Sequence, residues 1–108
     1  MQLAIKISRK ENIELFANFQ LAQSDTFQKN LLKNLGPQAE KIYALLASET
    51  FDQLVKNPYY GPNVKKLRDQ NPPKWRYRWG NYRLIYRVDP DQKLIILISL
   101  RHRKDAYK

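Results

Sequence analysis

Lys74, Arg76 and Arg78 alternate with Trp75, Tyr77 and Trp79, and Arg83 and Arg87 follow shortly after. Period-two alternation places the cations on one face of a strand and the aromatics on the other. Gly80-Asn81 is a two-residue connection of the kind that closes a tight hairpin. The predicted register sets Trp79 opposite Tyr82, Arg78 opposite Arg83, Tyr77 opposite Leu84, Arg76 opposite Ile85, Trp75 opposite Tyr86 and Lys74 opposite Arg87. One face then carries Lys74, Arg76, Arg78, Arg83 and Arg87 around Ile85, and the other carries Trp75, Tyr77, Trp79, Tyr82, Leu84 and Tyr86. Like charges facing each other across a hairpin destabilise it, so these gathered cations point to a polyanionic ligand. Beyond them come Arg101, His102, Arg103, Lys104 and Tyr107. They add charge, a phenol and an imidazole whose ordinary pKa suits proton transfer near neutrality.

Other catalytic signatures are missing from the sequence. It has one histidine, no cysteine and no glycine-rich phosphate loop, which argues against a metal site or a bound cofactor. The acids of the basic half, Asp69, Asp89, Asp91 and Asp105, fall in expected loops or the tail, so paired-carboxylate chemistry is not expected either. Trp75, Tyr77 and Trp79 share a face with Leu84 and read as core rather than as stacking platforms. Arg78 reads as a contributor to the field, and Arg87 reads most simply as a solvated arginine.

Composition sets the frame for these residues. A chain of 108 residues fits one domain, and 43% hydrophobic content allows one modest core. The net charge of +10 is segregated: residues 63–108 hold thirteen Lys/Arg against four Asp/Glu, while residues 1–62 are nearly balanced. Such a field attracts nucleic acid or an acidic protein, whereas a merely soluble surface mixes its signs. No run approaches a membrane span, and Met1 to Ser8 alternates rather than forming a signal peptide. A cytoplasmic protein is the expectation.

The elements that must position the cations follow in order. Leu15 to Ala22 alternates as a strand. Ser24 or Asp25 offers a helix N-cap, Phe27, Leu31, Leu32 and Leu35 form one helical face, and Gly36 supplies the stop. Pro37 opens a second helix that runs to about Lys56, with a break in its apolar stripe at Ser48 to Thr50. Tyr59 to Pro73 reads as a loop. The hairpin, a turn at Asp89 to Gln92 and a strand from Lys93 to Leu100 complete the chain, with Arg101 onward as a tail. The predicted fold is α+β in the order β-α-α-β-β-β: a single antiparallel sheet with two helices packed on one face. The aromatic face of the hairpin meets the helices, and Lys74, Arg76 and Arg83 stay accessible. Residues 1–14 form an N-terminal extension that could add a strand, and residues 15–108 form the domain.

The segment Lys74 to Arg87, followed by Ile98-Ser-Leu-Arg-His-Arg-Lys-Asp-Ala-Tyr107, resembles the C-terminal half of the RelE/ParE superfamily of bacterial toxins, with Asn57-Pro58 and Asn63-Val-Lys-Lys-Leu67 in keeping. The resemblance spans roughly Leu15 to Tyr107. It implies the toxin of a type II toxin–antitoxin pair, bound by a cognate antitoxin, monomeric alone and higher-order in complex. On its RelE branch it implies a metal-independent endoribonuclease that cuts messenger RNA in the ribosomal A site by attack of the substrate's own 2′-hydroxyl. Carried over by motif, the catalytic set is Arg76, Arg83, His102, Arg103 and Tyr107, with Arg103 stabilising the transition state and Tyr107 stacking on or orienting the substrate. The RNA-binding set is Lys74, Arg76, Arg78, Arg83, Arg87, Arg101 and Lys104. The ParE branch, with the same fold, implies instead a poison of DNA gyrase, and a non-catalytic RNA-binding module is the third reading.

Overall fold

In a computed structural model of the chain, residues 18–106 are described. The extension 1–14, the start of the first predicted strand and Tyr107 lie outside them. Five strands and two long helices follow one another: β1 (Gln20–Gln23), α1 (Asp25–Leu35), α2 (Ala39–Lys56), β2 (Val64–Lys66), β3 (Trp75–Trp79), β4 (Tyr82–Asp89) and β5 (Leu94–His102), with a last turn of helix, α3 (Arg103–Ala106). The strands form one sheet in the order β1-β5-β4-β3-β2.

The first helix begins and ends where the sequence dictates. Ser24 caps α1, its hydroxyl accepting the Phe27 N–H at 3.1 Å, and Gly36 closes it at φ +70°, where a side chain would be strained. Pro37 sits in a single 3-10 turn, so α2 itself starts at Ala39. The interruption of the apolar stripe at Ser48 to Thr50 does not divide the helix, which runs unbroken from Ala39 to Lys56. Both hydroxyls bond back along the helix, Ser48 to the Leu45 carbonyl and Thr50 to the Leu46 carbonyl, so Thr50 can face the core without an unmet polar group.

Phe27 of α1 and Leu46 and Leu54 of α2 form one buried cluster with Tyr77, Leu84, Tyr86, Ile95, Leu97 and Leu100 of the sheet. The aromatic face of the hairpin therefore meets the helices, as the alternation requires. Trp75 and Trp79 are only half-buried at its margin. The hairpin register is the predicted one, from Trp79 opposite Tyr82 to Trp75 opposite Tyr86. Of the two turn residues only Gly80 has positive φ, +56°, the pattern of a type II′ turn.

Three features depart from the sequence reading. The sheet is antiparallel except at one edge, where β1 runs parallel to β5. Parallel neighbours need a long connection, and the helical pair with β2 to β4 supplies it. The loop before the hairpin contains β2, paired antiparallel with β3; three residues with two adjacent lysines carry too little pattern to read as a strand. Finally, β5 runs on through His102 and carries a β-bulge: Ile85 faces Ser99 but Tyr86 faces Leu97, leaving Ile98 as the extra residue.

Candidate functional site

The sheet face away from the helices carries the cations in rows. Arg78 on β3 faces Arg83 on β4, which faces Arg101 on β5. The next row runs Lys65, Arg76, Ile85, Ser99 across four strands. Directly opposed residues stand roughly 5 Å apart at Cα, so three arginines are held in register by backbone pairing alone.

Arg83 is the centre of this arrangement and is 5% exposed. Its expected accessibility is corrected here: the side chain lies under its neighbours on the outer face. Among the described residues its side chain makes one hydrogen bond, Nη1 donating to the Tyr82 carbonyl at 3.0 Å. Its buried Nε has no partner. A guanidinium offers five N–H donors, and a buried charge with so few acceptors is costly.

Two clefts meet at Arg83. One, of about 310 Å³, is lined by Lys65, Lys66, Leu67, Arg68, Arg76, Arg83 and Ile85. The other, of about 280 Å³, is lined by Leu67, Gln70, Lys74, Arg83, Ile85, Ile98, Ser99 and Arg101. The segment joining β2 to β3 forms their shared wall. Its base is closed by the Leu67 N–H donating to the Lys74 carbonyl at 2.9 Å, and Asp69 at φ +57° turns the chain. Asp is among the few residues that adopt this conformation readily. A larger cleft of about 450 Å³, near Tyr59, Trp75 and Pro90, takes in Arg87 but none of Arg78, Arg83 and Arg101.

The fold brings together Lys74, Arg76, Arg78, Arg83 and Arg101 from the sequence-derived set. Arg87 is on the same face, further along β4 and opposite Ile96. His102 is not brought there. It pairs with Tyr82 and packs against that ring edge-on at 5.4 Å. Tyr82 in turn packs on Trp79, whose indole N–H donates to Glu49 of α2 at 2.9 Å. The imidazole thus lies on the helix side, its Nδ1 accepting the Lys104 N–H at 3.3 Å. Arg103 opens α3, and its own N–H donates to the Asn81 carbonyl of the hairpin turn at 2.6 Å. Arg103 and Lys104 are exposed.

Sequence reasoning did not single out Lys65, Leu67, Arg68, Gln70, Ile98 or Ser99 for the site. The alternation of β2 with β3 could have placed Lys65, but a bulge and the path of a loop leave no local pattern. Among the described residues no group of three or more His, Cys, Asp or Glu gathers as a metal site, and no helix is long and apolar enough to cross a membrane. Rows of fixed cations around a cleft can hold a phosphate chain and stabilise charge that grows on it.

Comparison with known proteins gives consistent results. The profile of the family described as ParE toxin of type II toxin-antitoxin system, parDE, matches residues 21–107. Toxin RelG of Mycobacterium tuberculosis is 27% identical over 82 residues, covering 76% of this chain and 92% of its own length. Among solved structures, the toxin-antitoxin complex RelBE2 of Mycobacterium tuberculosis aligns with TM-score 0.63 at 27% identity, covering 80% of this chain and 99% of the matched one. The RelB-RelE antitoxin-toxin complex of Methanococcus jannaschii aligns with TM-score 0.53 at 28% identity, covering 80% and 94%.

Proposed function

We propose that this chain, which belongs to the ParE toxin family of type II toxin–antitoxin systems within the RelE/ParE superfamily, is an endoribonuclease that cuts translated messenger RNA on the ribosome and is restrained by a cognate antitoxin. The observation that carries this reading is Arg83, an underpartnered buried guanidinium flanked in register by Arg78 and Arg101.

The reaction needs little from the protein beyond placement. The 2′-hydroxyl of one ribose attacks the adjacent phosphorus, the bond to the 5′-oxygen breaks, and a cyclic phosphate and a free 5′-hydroxyl result. The proton of the nucleophile passes to solvent water, and one proton reaches the leaving oxygen. Negative charge grows on the non-bridging oxygens, where Arg83 and Arg101 supply planar, permanently charged donors. Arg76 and Lys65 hold the strand beside them. Arginine hardly deprotonates, so Lys74, the only amine lining the cleft with Arg83 and Arg101, is the group placed to deliver a proton to the leaving oxygen. Arg101 takes the transition-state role that the motif reading gave to Arg103, because Arg101 stands opposite Arg83. His102 has no part in this scheme, and Tyr107 keeps the substrate-stacking role that the resemblance implies.

The antitoxin assignment is supported by the neighbours, which were solved as complexes of a RelE with a RelB. The family description itself supports a second reading, a gyrase poison of the ParE kind. Induction of the chain in cells separates the two. Arrested translation with new 5′ ends inside translated messages supports the nuclease. Intact messages with induced DNA damage support the poison and overturn the nuclease.

A further inference from the structure

We infer that the cleft beside Arg83 is a base-reading subsite, in which Gln70 and Ser99 hydrogen-bond the edge of one nucleobase of the bound strand and set which sequence is cut. The inference rests on the nuclease reading for its biological setting, but the binding it asserts can be measured without any cleavage.

The lining of the cleft of about 280 Å³ sorts by chemistry. Leu67, Ile85 and Ile98 are apolar and can sandwich a flat ring, as apolar side chains do around unstacked bases. Lys74, Arg83 and Arg101 are cations that suit a phosphate. Gln70 and Ser99 are the neutral hydrogen-bonding side chains. A neutral carboxamide presents one donor and one acceptor side by side and pairs with a matching edge. Single-stranded RNA is read in this way, through splayed bases whose edges are exposed.

Two irregularities of the fold bring these neutral groups in. The β-bulge opposite Ile85 and Tyr86 turns Ile98 and Ser99 into the same cleft, a re-aiming of side chains typical of bulges near sites. The left-handed Asp69 at φ +57° precedes Gln70, so the chain doubles back and sets Gln70 at the cleft. The buried Arg83 with its unpartnered Nε forms the inner wall and fixes where the phosphate sits. A base attached to that phosphate through its ribose then lies within reach of Gln70 and Ser99. On the N6–N7 edge adenine alone of the four bases sets a donor beside an acceptor, which makes it the natural partner of a carboxamide.

The test is a titration of the full chain with AMP, GMP, CMP and UMP, followed by NMR at the Gln70 side-chain amide and the Ser99 backbone amide. Inorganic phosphate is the control. AMP is expected to bind tightest, at least about fivefold tighter than the weakest of the four, the low end of what a two-point base contact provides. Phosphate alone should leave the Gln70 amide unmoved. Gln70→Leu keeps the volume, removes both hydrogen-bonding atoms and should bring the four affinities within about twofold; Ser99→Ala should narrow the spread less. Equal affinities in the wild type, or a spread that survives Gln70→Leu, would overturn the inference. Mapping cut sites on a translated message separates this failure from the other. A wild-type chain that discriminates the nucleotides but cuts nothing sinks the nuclease and leaves the subsite. Cutting with a base preference identical in Gln70→Leu sinks the subsite and leaves the nuclease.

Discussion

Arg83→Met should make the protein more stable and less active at once. Methionine keeps a long unbranched stem and removes the guanidinium from a side chain that is 5% exposed. Among the described residues the wild-type group carries one hydrogen bond, to its own strand's Tyr82 carbonyl, and a buried Nε with none. Losing that bond costs about 1.5–3 kcal/mol, as for hydrogen bonds made by charged groups. Two gains oppose it. Relieving an unmet buried donor returns about 1–3 kcal/mol. Removing like-charge pairs with Arg78 and Arg101 returns roughly 0.2–1 kcal/mol each. The middles of these ranges sum to a net gain of about 1 kcal/mol, the direction seen when buried ion pairs are replaced by apolar side chains. For a domain of this size that raises Tm by roughly 4–8 °C. Cleavage should fall by about 100-fold or more, the usual loss when a fixed donor to a developing oxyanion is removed. Calorimetry and primer extension on a translated message measure the two effects. A polyanion should raise the Tm of the wild type more than that of the variant, because only the wild type has the buried donors to bind it. A variant less stable than wild type, or one that cuts within threefold of it, would refute the reasoning.

Arg101→Ala should lower cleavage by about 100-fold with an unchanged circular dichroism spectrum, and by more than Arg103→Ala, since only Arg101 stands in the row with Arg83; an effect confined to Arg103→Ala would move the site to α3. Association with the antitoxin should slow steeply between low and high salt, because residues 63–108 concentrate the basic charge, and a flat stopped-flow response would remove the basic face from the docking surface. Tyr86→Phe should cost about 1–3 kcal/mol in denaturant unfolding, because the buried hydroxyl donates to the Pro58 carbonyl at 2.6 Å and water cannot replace it.

Much of the scaffold was legible because it rests on local rules. Alternation around Gly80-Asn81 gave the hairpin register residue by residue, and Ser24, Gly36 and Asn57 marked the helix ends. What escaped depends on contacts distant in sequence. The parallel pairing of β1 with β5 joins residues more than seventy positions apart and leaves no trace in either segment. Alternation on β4 alone cannot reveal the burial of Arg83, nor that the segment from Leu67 to Lys74 walls the clefts beside it. The cations were therefore found, but the depth of the one at their centre was not, and neither were Gln70 and Ser99 beside it.

The division of labour between Arg101 and His102 turns on a single residue. Ile95 and Leu97 are fully buried on the helix side. Strict alternation from them would send Ser99 and Arg101 into the core and leave Leu100 and His102 among the arginines, because a one-residue change of phase exchanges the two faces. The bulge at Ile98 makes that change. Leu100 becomes core at 1% exposure, Arg101 emerges opposite Arg83, and His102 turns to the Tyr82 ring. Packing enforces the choice: a leucine gains by burial where an arginine would need acceptors that Phe27, Leu46 and Leu84 cannot offer. The hydrophobic requirement of Leu100 thereby selects, one position further on, which of two plausible chemical groups joins the arginine row. A permanent cation is placed there, and the titratable ring is kept for the packing of Tyr82 and the start of the last helix.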